Sequence, residues 1–468
     1  MQRSVQYGLN IVRKLHWTSC MAAALSFFVA SPTWARTFVV SPTGPLATIS
    51  QALRLATNGD VVEVDGGAYN EDVVLNRSVK LVGIGYPVIR GRGDGSVITV
   101  AADGCAVRGF AIEHTGSSLE NEDSGILLKS RDNRIENNHL DDVLFGIYLF
   151  QSDGNYIAGN SVRGRLASDF GDRGNGIHIW NSNYNTLERN SVADSRDGIY
   201  VQNSNHNAIR NSQVHNLRYG LHFMYSDDND FEGNEFYNNI AGAAIMYSRR
   251  IRFRRNMFLH NRGFASYGIL FQADEDCVAE ENVVADNAVG IFMEALIRST
   301  LKGNLIAGND VALRTFTSAT DDHFERNNVI ENLSPMELVG GHTDNLWNGS
   351  TGGNYWSDYD GFDLNGDGIG DVPYQIQNVF EHLEAQLPLL RLYLFSPAAQ
   401  SLALAERAFP VFQTRQETDS RPLMKPVAMP WLPRDPAAHA DPGTVTFLVP
   451  ALLLLFSLTA FRWGQLHD

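Results

Sequence analysis

Cysteine and positive charge are both scarce in this chain: three cysteines in 468 residues, and 37 lysines and arginines against 53 aspartates and glutamates. A net charge of −16 excludes nucleic acid as a natural partner, because phosphate recognition needs a basic surface. Uncharged apolar runs of membrane-spanning length are confined to one place, Thr444 to Phe461. No GxxxxGK[ST] sequence is present, so the chain lacks the loop that cradles nucleotide phosphates and cannot draw on ATP by that route.

The two ends read as address and tether. Arg3, Arg13 and Lys14 precede an apolar run from Met21 to Ala30 and then Thr33-Trp34-Ala35, the pattern of a secretory signal (residues 1–35) cut after Ala35. Cys20 lies ahead of that run, not where a lipid-attachment cysteine would stand. Removing this segment takes away three positive charges and no negative ones, leaving an even more acidic mature chain. At the other end, 444–461 is expected to be a transmembrane helix, with 462–468 as a short cytoplasmic tail carrying Arg462. Between body and helix, 396–443 is rich in proline and lacks a repeating apolar pattern, as in an extended stalk. These features predict a body outside the cytoplasmic membrane and anchored to it.

Inside the body, residues 36–395, the chain repeats. Gly-Ile-x-hydrophobic segments place Gly125, Gly146, Gly176, Gly198, Gly220, Gly242, Gly268 and Gly290 in register, with Ala312 continuing, mostly 22 residues apart. An asparagine follows most of these glycines after fourteen residues (Asn160, Asn190, Asn234, Asn256, Asn282, Asn304), with Ser212 as a substitute and Asn138 one residue early. Such a period means an all-β, right-handed parallel β-helix, in which each turn buries its apolar face only against its neighbours. Each turn reads as two alternating strands, such as 198–201 and 208–210, with Ile199 and Val201 inward and Tyr200 outward. The asparagines are structural in this reading, bonding backbone or their counterparts at the bends. Residues 49–56 have helical spacing and suit a cap on the first turn. Eight extra residues between Gly146 and Gly176, and four between Gly242 and Gly268, must become loops.

In this register Cys105 and Cys277 fall in one column seven turns apart, about 34 Å, whereas a disulfide needs Cα atoms within about 7 Å. They are expected to be buried, unpaired thiols.

Three clusters have chemistry. Two outward columns run Tyr148, His178, Tyr200, His222, Ala244, Leu270, Phe292 and Phe150, Trp180, Gln202, Met224, Met246, Gln272, Glu294. Met224 and Met246 should stack about 4.8 Å apart, with His222 about 7 Å along the strand from Met224 and His178 two turns away. Imidazole with thioether is a soft set suited to Cu(I), and the same residues also suit a protein-docking surface. Arg250, Arg252 and Arg254 alternate outward as a basic stripe for an anionic partner. Asp363, Asn365, Asp367, the Ile369 carbonyl and Asp371 match the first half of a calcium loop, with Tyr374 where the bidentate glutamate would stand.

Exported parallel β-helices often process polysaccharides, so a polysaccharide-binding or polysaccharide-degrading protein is the competing expectation. The Asp-Pro-His-Asp of uronate epimerases and the Asn-Thr-Asp, Gly-His-Gly and Arg-Ile-Lys segments of polygalacturonases are absent. The combination of 174–180 (Gly-Asn-Gly-Ile-His-Ile-Trp), 219–226 (Tyr-Gly-Leu-His-Phe-Met-Tyr-Ser) and 353–361 (Gly-Asn-Tyr-Trp-Ser-Asp-Tyr-Asp-Gly) resembles the NosD family, over roughly 37–395. That resemblance implies a non-catalytic periplasmic protein assisting copper-centre assembly in nitrous oxide reductase, alongside an ABC-type ATPase and its membrane permease. A copper-donating chaperone is a further candidate partner.

Overall fold

The computed structural model describes residues 35–166, 169–263, 265–376 and 417–432, with a few positions between 377 and 416. Residues 1–34 of the signal segment, the helix expected at 444–461 and the tail at 462–468 lie outside the described residues. Among the described residues no helix is long and apolar enough to cross a membrane.

The body is a parallel β-solenoid of right-handed type with about 14 turns. Three long parallel sheets of 13, 12 and 13 strands run its length, so a turn contributes three strands, not the two expected. One turn shows why. Asp197–Gln202 and Ala208–Arg210 are followed, after only Asn211 and Ser212, by Gln213–His215, so the second and third strands run together in the sequence as one polar stretch. Its one inward residue, Val214, is buried.

The predicted register holds. Ile199 pairs with Leu221, and Leu221 with Ala243, all fully buried in the core. Phenylalanines fill the middle turns in stacks at the strand spacing, Phe231 on Phe253 at 4.8 Å and Phe236 on Phe258 at 5.1 Å. The glycine column answers to close backbone approach: a Cβ on Gly198 or Gly220 would lie 2.6 Å from the carbonyl oxygen of the next glycine in the stack.

Buried ladders stitch the bends together. Asn234 accepts the Ser212 N–H at 3.0 Å, and its amide nitrogen donates to the Ile209 carbonyl and to Asn256, both at 2.8–2.9 Å. The same pattern links Asn256, Asn282, Asn304 and Asn327. The asparagines are structural, as expected. A serine column from Ser152 to Ser248 does the equivalent work at another bend, each N–H donating to the next hydroxyl. Cys105 and Cys277 are buried free thiols, and their amides join the ladder column through Asn133 and Ser299. Burial pushes both thiols up.

Both ends of the stack are closed. The helix Ile49–Leu55, with a Thr48–Gln51 capping box, buries Ile49, Ala52 and Leu53 over the first turn. The Glu71 carboxylate accepts the Ile49 and Ser50 amides at its start. At the far end the chain departs from the expected stalk. Residues 417–432, within the range 396–443, fold back on the last turns. Glu417 accepts Trp347 Nε1 at 2.6 Å and Thr343 N at 2.7 Å, and Asp419 accepts Asn354 N and Trp356 Nε1. Val427 and Asn328 then exchange two hydrogen bonds. Two buried carboxylates supply acceptors for indole and amide donors that the open solenoid end would otherwise leave unpaired.

Candidate functional site

The candidate site lies on the outer face of the twelve-stranded sheet. In the strand Tyr219–Met224, Leu221 and Phe223 enter the core, leaving His222 and Met224 on the outer face. The next strand, Ala241–Met246, places Met246 directly opposite Met224 and Ala244 opposite His222. The preceding strand sets Tyr200 beside His222 and Gln202 beside Met224. Every member of the two predicted columns stands in register. Tyr200 Oη donates to Gln202 Oε1 at 2.9 Å and lies 4.0 Å from the Met224 sulfur.

Outward does not mean exposed throughout. Ala244 and Leu270 are buried in a secondary apolar cluster with Tyr267, against which Tyr219 and Met246 pack. His178 is only 5% exposed. Its ring stacks on Tyr148 at 4.5 Å, with Phe145 at 5.8 Å and the edge of Tyr200 at 4.8 Å, and neither ring nitrogen has a hydrogen-bond partner. Burial first, and then the Arg196 charge, push its pKa down to about 3, so the imidazole is neutral across the physiological range. Tyr200 stands between it and His222. His178 therefore belongs to an aromatic plate with Tyr148, Phe150 and Trp180, while His222, Met224 and Met246 form a separate group.

His222 has a partner invisible to the column reading. Its Nδ1 lies 3.0 Å from Oδ2 of Asp197, whose side chain is fully buried. Arg218 grips the same carboxylate through Nε and Nη2 at 2.8 and 2.7 Å, and Arg196 Nε approaches to 3.6 Å. Burial alone would raise the Asp197 pKa, but the hydrogen bonds from His222 and Arg218 outweigh it and the net shift is downward. The carboxylate is ionised. Alternation in the sequence gives no signal for this residue, since two positions before the inward Ile199 it has the parity of a core residue; the structure shows Ala241, Tyr267 and Val289 of the same column gathered in the secondary apolar cluster, apart from the main core. Both period insertions open at the corner leading into this sheet, ahead of the strands starting at Ile177 and Ile269.

The basic stripe is not a bare cationic surface. Arg250 pairs with Asp228 at 2.6 Å and with Asp227 at 3.4 Å, and Arg254 with Glu232, Glu280 and Glu281. Arg252 stands in register between Asp230 and Val278. Carboxylates one turn before and after thus meet Arg250 and Arg254, contacts that linear spacing does not reveal.

In the loop 363–371, Asp363 accepts the Gly366 and Gly368 amides at 2.7 and 2.8 Å. Asn365 accepts Asp367 N, Asp367 accepts Ile369 N, and Asp371 accepts Leu364 N. These side chains organise the loop's own amides while keeping lone pairs free. Among the described residues no group of three or more His, Cys, Asp or Glu side chains is gathered to hold a metal ion. The outer-face set differs in kind, resting on two thioethers and one imidazole, donors that fit a soft monovalent ion and not a hard one.

Residues 163–361 match the model of a family described as periplasmic copper-binding protein (NosD). A protein of Pseudomonas aeruginosa described as a probable ABC transporter binding protein NosD is 35% identical, over 85% of this chain and 99% of its own length. Its counterpart from Stutzerimonas stutzeri is 34% identical over 77% of this chain and 85% of its own. Among solved structures, the A-module of the Azotobacter vinelandii mannuronan C-5 epimerase AlgE4 superposes with a TM-score of 0.52, at 15% identity, over 63% of this chain and 92% of that one. This last likeness concerns the solenoid fold alone. Given relatives of such identity over nearly their whole length, the chain belongs to the NosD family.

Proposed function

We propose that this protein is a periplasmic accessory factor for copper-centre assembly in nitrous oxide reductase, with Cu(I) as its transient cargo. Met224 and Met246, side by side on adjacent strands with His222 on the same face, carry the reading. Two thioethers and an imidazole, half-buried on the outer face, suit weak, reversible capture better than a thiolate cage, and both cysteines are buried. An ABC-type ATPase and its permease supply the energy in this reading, consistent with relatives described as ABC transporter binding proteins. Segment 444–461 tethers the body to the membrane, and loop 363–371 holds a structural calcium ion.

Titration of the full chain with Cu(I) against a competing chelator tests the assignment. One equivalent is expected for the wild type, with a large loss in the Met224→Leu, Met246→Leu double variant at unchanged folding. A double variant that binds copper normally but fails to support reductase maturation makes the face a protein-docking surface instead.

A further inference from the structure

Among the described residues no other paired position in the column of the buried carboxylate behind His222 carries an acid. Its column continues as Tyr219 and Ala241, and later as Val289 and Val311, so the solenoid itself does not require an acid at that position. A buried ion pair is also weak grounds for stability, because desolvation offsets most of the attraction. Its placement is informative. Asp197 pairs in register with Tyr219, three residues before His222, while Met224 lies two residues after it. The imidazole is thus flanked by the carboxylate on one side and the thioethers on the other.

Both oxygens of Asp197 already take donors from Arg218, and Oδ2 also lies 3.0 Å from His222 Nδ1. A carboxylate held by a guanidinium only accepts, so the contact requires the proton on Nδ1 and leaves the lone pair of the neutral ring on Nε2. We propose that Asp197, clamped by Arg218, is the positioning residue of the soft-metal site: it holds His222 as the Nδ1–H tautomer, with Nε2 bare for Cu(I) beside Met224 and Met246. Histidines that ligate metals commonly donate their other N–H to a carboxylate in this way, which fixes the ring and raises its basicity. This inference rests on the copper reading above and adds two residues to it.

The test uses the full chain labelled with 15N at histidine, with the His222 signals assigned by their loss in His222→Gln. The metal-free wild type is expected to show a protonated Nδ1 and an unprotonated Nε2. In Asp197→Asn the amide must turn its own N–H₂ toward donors of Arg218 or His222. The tautomer bias should be lost, and Cu(I) affinity against the competing chelator should fall about 10–100-fold. A wild-type His222 protonated on Nε2 overturns the inference without any variant having to fold. A folded Asp197→Asn with unchanged Cu(I) affinity also overturns it, making Asp197 a structural group. If the methionine double variant still loses copper, that second result leaves the copper reading standing; if it does not, both fall.

Discussion

Asp322 accepts the backbone N–H of Ser299 at 2.8 Å, the task that asparagine performs in the same column at Asn207 and Asn229, but its second oxygen is buried without a partner. Where asparagine would offer an N–H₂ to a carbonyl of the preceding turn, an ionised aspartate offers only repulsion.

Burial first raises the Asp322 pKa to about 8, and Asp274, which ends the serine ladder, is raised to about 8 for the same reason. A carboxyl whose folded pKa exceeds its unfolded value of about 3.9 contributes stability that is fully present below that value. This contribution is lost as pH rises through about 8. The urea midpoint of the wild type should therefore fall from pH 5 to pH 9. Asp322→Asn should flatten that fall and add about 1–3 kcal/mol at pH 8 by satisfying the buried position. A wild-type midpoint that rises over this range would show both groups ionised in the fold.

The glycine column predicts a steric effect independent of backbone conformation. Gly220→Ala would press a methyl 2.6 Å from the Gly242 carbonyl oxygen and 3.0 Å from Phe236. The strands must spread at that turn, at a cost of about 1–3 kcal/mol. Gly171→Ala, where a Cβ meets nothing within 4 Å, is the matched control and should leave the thermal transition in place.

Removal of calcium should distinguish an ion site from a self-bonded turn at 363–371. If the loop holds an ion, a calcium chelator lowers the melting temperature of the intact protein and Asp367→Ala no longer responds. Equal responses in the two proteins would assign these side chains solely to the amide contacts described above.

The returning segment makes a local prediction. Glu417→Ala removes the acceptor of Trp347 Nε1 and of the Thr343 amide, leaving buried donors that cost about 1–3 kcal/mol each. The last turns should loosen before the rest of the stack, read as quenching of tryptophan emission and earlier proteolysis between Thr343 and Trp356. An unchanged digestion pattern would mean that the segment rests on the body without holding it.

The calcium-like loop and the basic stripe mark where linear reading stopped. Spacing put Asp363, Asn365 and Asp367 on one loop, but not whether their oxygens face an ion or the loop's amides. It put Arg250, Arg252 and Arg254 on one face, but not the acids at 227–232 and 280–281 that meet them from adjoining turns. The third strand of each turn was hidden because only a two-residue bend, such as Asn211-Ser212, separates it from the second, and the two read as one stretch.

The sequence by itself determined the axis of this protein: the repeat, its 22-residue period and the two outward columns from Tyr148 to Phe292 and from Phe150 to Glu294. Side chains alternate with a period of two, and stacked turns bury one face, so a slip of one residue would expose the whole core. Only the tertiary structure decided what lies across that axis. Phe145 and Tyr148 close over His178, and Asp197 reaches His222 from 25 residues away. Residues 417–432 turn back to cap the solenoid. Periodicity encodes which residues share a column, whereas lateral contacts depend on rotamers, loop paths and the charge of neighbouring turns, none of which repeats.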